Sequence, residues 1–175
     1  MLSREEMIGP WAGLPVAWEQ DLSFDEDAYG ANVEECRRNK TPVMIGVTST
    51  YTLGAQRRGS YAAQLGADAI QLALPFWLEI HDREVVPFFV DVASACPHLA
   101  VTLYETLRAK KGLTVEQHRA IFEAVPACRA VKSNEGTVGA TPQGCAALTA
   151  FINVWVSEGR WAELGPHGAI GSPVP

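Results

Sequence analysis

The stretch Cys128-Arg129-Ala130-Val131-Lys132-Ser133-Asn134 is a short apolar run that contains a lysine and ends in small polar residues. Runs of the same kind, short and rich in β-branched or aromatic residues, recur along the chain. Together they cover residues 14–18, 43–47, 69–74, 99–104, 129–132, 152–156 and 169–170. Most of them are continuous rather than alternating, which is typical of strands buried on both faces of a parallel sheet covered by helices.

Segments with a helical period lie between these runs, and several have recognisable ends. They cover residues 29–38, 51–65, 84–95, 118–125 and 143–151. Thr114 and Gln117 form the pattern of a capping box before the fourth segment. Thr141 followed by Pro142 is a typical start for the fifth. Pro87 is expected in the first turn of the third segment, because a proline deeper in a helix removes a backbone hydrogen bond.

The strand starts are separated by roughly 25–30 residues, the length of a βα unit, and such repeats predict an α/β fold with a parallel sheet. An open doubly wound sheet would need a phosphate-binding fingerprint, and neither G-x-G-x-x-G nor G-x-x-x-x-G-K-[ST] occurs. A (β/α) barrel carries its reactive residues at the C-terminal ends of its strands. This sequence has Thr48, Tyr104, Lys132 and Ser157-Glu158 at those positions. We therefore predict a barrel.

Composition and charge limit the classes of protein to which this chain can belong. The chain has 175 residues, 47% hydrophobic and 19% charged, which is enough for one domain over residues 1–175. The net charge of −6 argues against nucleic acid or an anionic membrane as a partner. The four cysteines form no C-x-x-C pair and no cluster with the histidines, so we expect reduced thiols and no metal site. Without a signal segment or a membrane-spanning run, a cytoplasmic protein is expected.

Lys132 is the leading candidate for catalysis. A lysine inside a barrel loses solvation, which lowers its pKa and makes the neutral amine available to attack a ketone. The spacing by itself favours a lysine at a strand edge that extends to water, because lysine is rarely buried. Tyr104 ends the preceding strand, so both side chains can point into one barrel mouth, where a phenol can relay protons. The alternative for Tyr104 is an ordinary core tyrosine.

Other polar residues near strand ends are weaker candidates. The triplet Thr48-Ser49-Thr50 supplies three hydroxyls that can hold a carboxylate or form a proton path. The same hydroxyls can instead cap the next helix. Arg108, Lys110 and Lys111 can attract an anionic substrate, although a basic loop is more often simply solvated.

Five stretches, in this order, resemble the dihydrodipicolinate synthase/N-acetylneuraminate lyase family of (β/α)8 barrels. They are residues 42–47 (PVMIGV), 65–70 (LGADAI), 103–105 (LYE), 130–134 (AVKSN) and 165–171 (GPHGAIG). No single stretch is diagnostic, but their order and spacing fit the family from Gly9 to the tail. The resemblance implies aldol cleavage or condensation, or dehydration of 2-keto-3-deoxy acids.

The resemblance also implies roles for individual residues. Lys132 falls where the family forms an imine with pyruvate or another 2-oxo acid, and Tyr104 falls on its proton-relay tyrosine. Thr48 falls near the proton relay, and Asn134 falls where the substrate tail is often met. The expected substrate-binding set is Thr48, Ser49, Asn134 and Glu158. The family uses neither a metal nor an organic cofactor, so none is expected here. The expected partners are a small 2-oxo acid as substrate and further copies of the chain in a homo-oligomer.

The sequence also departs from the family pattern. The family's second strand ends in a glycine- and threonine-rich turn that holds the substrate carboxylate, and this chain has no such turn. The first helix, ending at Arg38, leads through Thr41 into what resembles the third strand, so the second βα unit is expected to be missing. The chain stops after the run that resembles the eighth strand, so the last helix is expected to be missing too.

Two aromatic residues and one arginine indicate which type of substrate the chain acts on. Phe76-Trp77 stand where lysine-biosynthetic members carry paired tyrosines, and the arginine expected after Tyr104 is out of register at Arg108. These differences weaken an assignment as dihydrodipicolinate synthase. They favour a relative that acts on a sugar acid or an aromatic substrate.

The expected molecule is an incomplete TIM-type barrel of seven strands, a Schiff-base lyase with much reduced activity. One alternative is a catalytically inactive deletion or splice form of such a lyase, which acts only by association with full-length subunits. A further alternative is an unrelated α/β binding protein, for which the ordered matches would have to arise by chance.

Overall fold

A sheet of seven parallel strands forms the centre of the protein. The computed structural model describes residues 1–14 and 17–171. The strands are β1 (Gly9–Ala12), β2 (Met44–Gly46), β3 (Ala69–Leu72), β4 (Ala100–Glu105), β5 (Cys128–Ser133), β6 (Asn153–Val156) and β7 (Gly168–Gly171). Their order across the sheet is β1-β7-β6-β5-β4-β3-β2, so β5 is central and β1 and β2 lie at the two ends.

An α-helix connects each strand to the next. The helices are α1 (Glu26–Arg38), α2 (Thr52–Gln64), α3 (Asp82–Ser94), α4 (Val115–Ala124), α5 (Pro142–Thr149) and α6 (Glu158–Leu164). Helix α6 has no counterpart among the helices predicted from the sequence. Among the residues that the structure describes, no helix has the length and hydropathy needed to cross a membrane.

The barrel is open between β1 and β2. In the described part of the chain, no backbone pairing joins these two strands. A groove of about 520 Å³ separates them, lined by Trp11 and Met44 of the strands, Ile170 of β7, and Tyr29 and Val33 of α1. The predicted incomplete TIM barrel of seven strands is therefore confirmed, and α1 leads directly into β2 without an intervening βα unit.

Trp155 of β6 fills the barrel interior towards the N-terminal side of the sheet. Its indole packs with Ala69, Ala100 and Ala130, which are small residues of three neighbouring strands. The indole Nε1 donates a hydrogen bond of 3.1 Å to the backbone oxygen of Met7. The three small alanine side chains thus provide the space that the large indole ring occupies. The N-terminal segment around Met7 packs against this ring.

The first strand lies earlier in the chain than predicted. Residues 14–18 were the expected strand, but β1 is Gly9–Ala12 and pairs with β7 from Gly9 to Ala12. Pro15 and Val16 lie outside the described residues, and Trp18 forms an isolated antiparallel bridge with Phe24. Glycine and proline made residues 9–12 a poor strand candidate by composition. An edge strand tolerates Pro10, because its missing N–H is not needed on the open side.

The third helix begins two residues earlier than predicted. His81 caps it, because the ring Nδ1 accepts a hydrogen bond of 3.3 Å from the backbone N–H of Arg83. Pro87 therefore lies in the second turn rather than in the first, and the prediction for its position was wrong. The helix tolerates it at the cost of one backbone hydrogen bond near its start.

The predicted helix caps are confirmed. Thr114 Oγ1 accepts a hydrogen bond from the backbone N–H of Gln117 at 3.2 Å, and Gln117 Oε1 accepts one from the Thr114 N–H at 3.0 Å. Thr141 Oγ1 accepts one from the N–H of Gly144 at 3.1 Å, with Pro142 as the first helical residue. These local signals involve neighbours in the chain, so sequence alone sufficed to identify them.

We expect Gly168→Ala to separate β1 from β7. A Cβ at Gly168 would overlap the carbonyl oxygen of Gly9 and lie 2.9 Å from Trp155 Cδ1, so the strand or the ring must move. Overpacking of this kind costs about 1–3 kcal/mol of unfolding free energy, measurable by urea denaturation. Gly159→Ala in α6 is the matched control, because nothing lies within 4 Å of its Cβ. Equal stability of the two variants would contradict the described packing of β1.

Candidate active site

Two neighbouring strands bring Lys132 and Tyr104 together. Both residues are the last but one of their strands, β5 and β4, and they lie opposite each other in the parallel register. Side chains of paired residues point to the same face of a sheet. The Nζ of Lys132 is 5.5 Å from the centre of the Tyr104 ring. The two predicted catalytic residues therefore share one site at the C-terminal side of the sheet.

A local irregularity sets this pairing. The register between β4 and β5 shifts between Val101 and Thr102, so β5 contains one residue more than β4 over this stretch. Because side chains alternate along a strand, a slip of one residue exchanges the two faces. Without the shift, Val131 would lie opposite Tyr104 and Lys132 would point away from it.

The Lys132 side chain is removed from water. The residue is only 5% exposed, so the alternative of an amine that extends to solvent does not describe this structure. Burial lowers the pKa of Lys132, and the negative charge of Glu158 opposes that effect. The Nζ donates a hydrogen bond to Asn134 Oδ1. Such surroundings favour the neutral amine, which is the nucleophilic form of lysine.

Trp155 forms the other neighbour of Lys132 and was missed by the sequence analysis. It lies opposite Lys132 on the β6 side and is fully buried. The indole packs with small residues in the barrel interior, on the same face of the sheet as the Lys132 side chain. The sequence contained no direct signal for this pairing, because it depends on how two strands align.

Asn134 and Glu158 lie at the rim of the same site. Asn134 follows β5 directly, and its backbone N–H donates to the Glu105 oxygen at 3.2 Å. Glu158 is the exposed first residue of α6. Its Oε2 lies 4.0 Å from where a Cβ on Gly171 would be, at the end of β7. Both predicted residues are therefore near Lys132, Asn134 by contact and Glu158 through its charge.

Thr48 and Ser49 make contacts with the neighbouring strand and helix. The Oγ1 of Thr48 accepts a hydrogen bond of 3.0 Å from the backbone N–H of Ala73, and its carbonyl oxygen accepts one from Arg58. Ser49 is buried against Gly54 of α2, where a Cβ would overlap its hydroxyl. Within the described residues, neither hydroxyl forms a hydrogen bond with Lys132. Their role in substrate binding stays a prediction.

The basic loop after β4 is largely engaged with other groups. Lys111 forms an ion pair of 2.7 Å with Asp82, and the hydrogen bond with this carboxylate raises the pKa of the lysine. Lys110 donates a hydrogen bond of 2.7 Å to the backbone oxygen of Trp77, and Arg108 is exposed. Trp77 lines a cavity of about 510 Å³ between α2 and α3 that neither Lys132 nor Tyr104 borders. The amine, and not this cavity, identifies the candidate site.

The cysteines and histidines do not assemble into a metal site. Within the described residues, no group of three or more His, Cys, Asp and Glu side chains could hold a metal ion. All four cysteines are free thiols, three of them buried, and burial raises the pKa of Cys128 to about 12.

We expect Glu158→Gln to lower the pKa of Lys132 further. The Glu158 charge favours the ammonium form, so its removal leaves the effect of burial unopposed. The pKa can be measured from the pH dependence of competitive acetylation of Lys132, followed by peptide mass spectrometry. Glu163→Gln is the control on the same helix, because Glu163 pairs with Arg160 at 3.3 Å. A raised or unchanged midpoint in Glu158→Gln would refute this electrostatic account.

Comparisons with known proteins identify the family of the chain. A sequence profile of the dihydrodipicolinate synthetase family matches residues 20–172. A trans-O-hydroxybenzylidenepyruvate hydratase-aldolase from Pseudomonas aeruginosa is 30% identical over 91 residues, covering 51% of this chain and 27% of that protein. A 4-hydroxy-tetrahydrodipicolinate synthase from Rhizobium meliloti is 25% identical over 153 residues, covering 86% of this chain and 52% of that protein. The chain thus spans about half or less of these relatives.

A solved structure has the same fold. The sialic acid aldolase of Ruminococcus gnavus, determined as a catalytic lysine mutant, superposes with a TM-score of 0.81 at 16% identity. The match covers 98% of this chain and 69% of the aldolase. The family and these relatives are aldolases and lyases, in agreement with the resemblance found in the sequence. The chain belongs to the dihydrodipicolinate synthetase family.

Proposed function

We propose that this chain is a Schiff-base lyase that acts on pyruvate or another 2-oxo acid, including 2-keto-3-deoxy acids, as an aldolase or a dehydratase. The observation that supports the proposal most directly is the buried Lys132 amine in register with Tyr104. The pKa of the amine is lowered, and a phenol lies beside it. Imine formation requires a neutral amine as the nucleophile and a group that can transfer protons. The names of the relatives, hydratase-aldolase and synthase, fit the same chemistry.

The reaction begins with attack by the neutral amine. The Nζ of Lys132 adds to the ketone carbon of the 2-oxo acid, and the resulting carbinolamine loses water to give a protonated imine. In an aldol cleavage, the positive imine nitrogen accepts the electron pair of the C3–C4 bond, and the resulting enamine then gains a proton at C3. In a dehydration, C3 first loses a proton and the nitrogen accepts the electron pair of that C–H bond. The enamine then expels the C4 hydroxyl, which gains a proton and leaves as water. Hydrolysis of the imine releases the product and restores the amine.

Tyr104 acts as the proton relay in this scheme. The carbinolamine hydroxyl must gain a proton to leave as water, and the cleaved or eliminated group exchanges a proton as well. A phenol next to the Nζ can deliver and recover these protons without rearrangement of the strands. The proposed substrate-binding set is Asn134, which contacts the Lys132 amine, together with Glu158, Thr48 and Ser49.

Activity is expected to be low. The family's turn for the substrate carboxylate follows a strand that this chain does not contain, and the groove between β1 and β2 lies at that place in the barrel. Poor carboxylate binding lowers the occupancy of the site, while the imine chemistry at the central strand is retained.

The open edges of β1 and β2 at the two ends of the sheet support a second candidate function. A catalytically inactive form would act by association with full-length subunits of such a lyase, and edge strands are surfaces at which chains associate. The two functions differ in one property, since only the first requires a reactive amine.

We expect pyruvate and sodium borohydride to modify Lys132 irreversibly. The reduced imine leaves a stable adduct on the Nζ, which peptide mass spectrometry locates. Lys132→Met should give no adduct at that peptide, while Lys110→Met, at an exposed lysine, should retain it. Wild-type protein that stays unmodified at saturating pyruvate would contradict the enzymatic proposal and favour the inactive form.

We expect Tyr104→Phe to slow trapping by roughly 10²–10⁴-fold, the usual contribution of a positioned acid–base group. The ring packing is retained, so the far-UV circular dichroism and the pyruvate concentration for half-saturation should change little. The measurement is the rate of adduct formation against pyruvate concentration. A rate within about twofold of wild type would remove Tyr104 from the mechanism.

A further inference from the structure

A buried carboxylate lies directly behind the Lys132–Tyr104 pair. Glu105 follows Tyr104 on β4 and is 3% exposed, with its side chain on the opposite face of the sheet. Its Oε1 accepts a hydrogen bond of 2.9 Å from the backbone N–H of Leu113, just before α4. Its Oε2 accepts one of 3.3 Å from the hydroxyl of Ser133 on β5. One side chain thus connects two strands and the start of a helix.

His118 completes this cluster from α4. The ring is 1% exposed, and its Nδ1 lies 2.8 Å from the carbonyl oxygen of Thr114. A carbonyl oxygen can only accept, so the Nδ1 carries a hydrogen. The Nε2 faces Oε2 of Glu105 at 3.4 Å, without hydrogen-bond geometry.

The Glu105 side chain thus has hydrogen-bond partners on β5 and before α4, and the His118 ring lies against it. A buried pair of this kind is a weak source of stability, because desolvation offsets most of the attraction. The two hydrogen bonds of the carboxylate, and not its contact with His118, are the feature that points to a function.

We propose that Glu105 is a positioning residue, which holds the ends of β4 and β5 in the register that places Tyr104 against Lys132. Glu105 and Ser133 are themselves a register pair, one residue beyond Tyr104 and Lys132. The hydrogen bond between them lies on the outer face, directly behind the reactive pair on the inner face. The inference rests on the proposed imine chemistry for its consequence on rate, but the geometry that it concerns is independent of it.

The surroundings of Ser133 support this role. Gly139 packs so closely over it that a Cβ on the glycine would overlap the Ser133 hydroxyl. The backbone N–H of Asn134 donates to the backbone carbonyl oxygen of Glu105, which continues the β4–β5 hydrogen bonding beyond the strand ends. The Asn134 side chain in turn accepts from Lys132. A shift of the Glu105 backbone would therefore be transmitted to Asn134, which contacts the amine.

The test compares Glu105→Gln with Glu105→Leu. Glutamine can accept from the Leu113 N–H through its oxygen and donate to the Ser133 hydroxyl through its amide, so it preserves the connection without the charge. Leucine has a similar size and makes none of these bonds. Ser133→Ala removes only the bond between the strands and serves as the milder variant should the leucine variant not fold.

Two measurements are made on each variant. The first is the rate of borohydride trapping at saturating pyruvate, together with the half-saturating concentration. The second is the pKa of Lys132 from competitive acetylation, which needs no substrate. We expect Glu105→Leu to trap on the order of tenfold to a hundredfold more slowly with little change in half-saturation, because small misplacements of reacting groups are costly. Its Lys132 pKa should rise towards the ordinary lysine value as water reaches the site.

The remaining outcomes decide the proposal. Glu105→Gln should behave as wild type in both measurements, and Ser133→Ala should change in the same direction as leucine but less. Folded Leu and Ala variants with wild-type rate and Lys132 pKa would overturn the proposal. Loss of both properties in the glutamine variant would also overturn it, because the charge and not the hydrogen bonds would then be responsible. A wild type without any adduct refutes the proposed function only, and the acetylation data still decide this inference.

Discussion

The shifted register between β4 and β5 places an amine, a phenol and an indole side by side on the inner face of the sheet. One additional residue in β5 is responsible, since without it a valine would occupy the place of Lys132. The inner face then removes the amine from water, and the outer face holds the strand ends through Glu105 and Ser133. The same pair of strands therefore positions the candidate catalytic residues on its inner face and carries the hydrogen bonds that hold their register on its outer face.

The missing βα unit affects this site less than its size suggests. The opening lies between β1 and β2, the two ends of the sheet, whereas Lys132 lies on β5, the strand with three others on either side. Its immediate neighbours Tyr104 and Trp155 both lie on fully paired strands. A barrel with one wall absent therefore keeps the environment of the amine but loses a surface that would enclose and orient the substrate. Under the proposed function, such an arrangement is expected to give low activity with intact imine formation.

The sequence predicted the features that depend on neighbours in the chain. The capping box at Thr114, the start of α5 at Pro142 and the buried strands were visible because turn chemistry and apolar runs are local. The position of Lys132 at a strand end was visible as well, but its burial depends on how the neighbouring strands β4 and β6 align with β5. The register shift, the early β1 and the contact of Glu105 with His118 all depend on residues distant in sequence, for which a single chain contains no direct signal.

The energetics of Lys132 connect stability with reactivity. Its folded-state pKa is lowered, so the unfolded chain binds more protons than the folded one between that pKa and the ordinary lysine value of about 10.4. Stability from this group therefore rises with pH across that window, and the cost of burying the ammonium is present in full below it. A site that is costly at neutral pH needs support from its surroundings, and the central strands, each paired on both sides, supply it. The free-energy cost of burying the Lys132 amine is thus offset in the centre of the sheet, where each strand pairs on both sides.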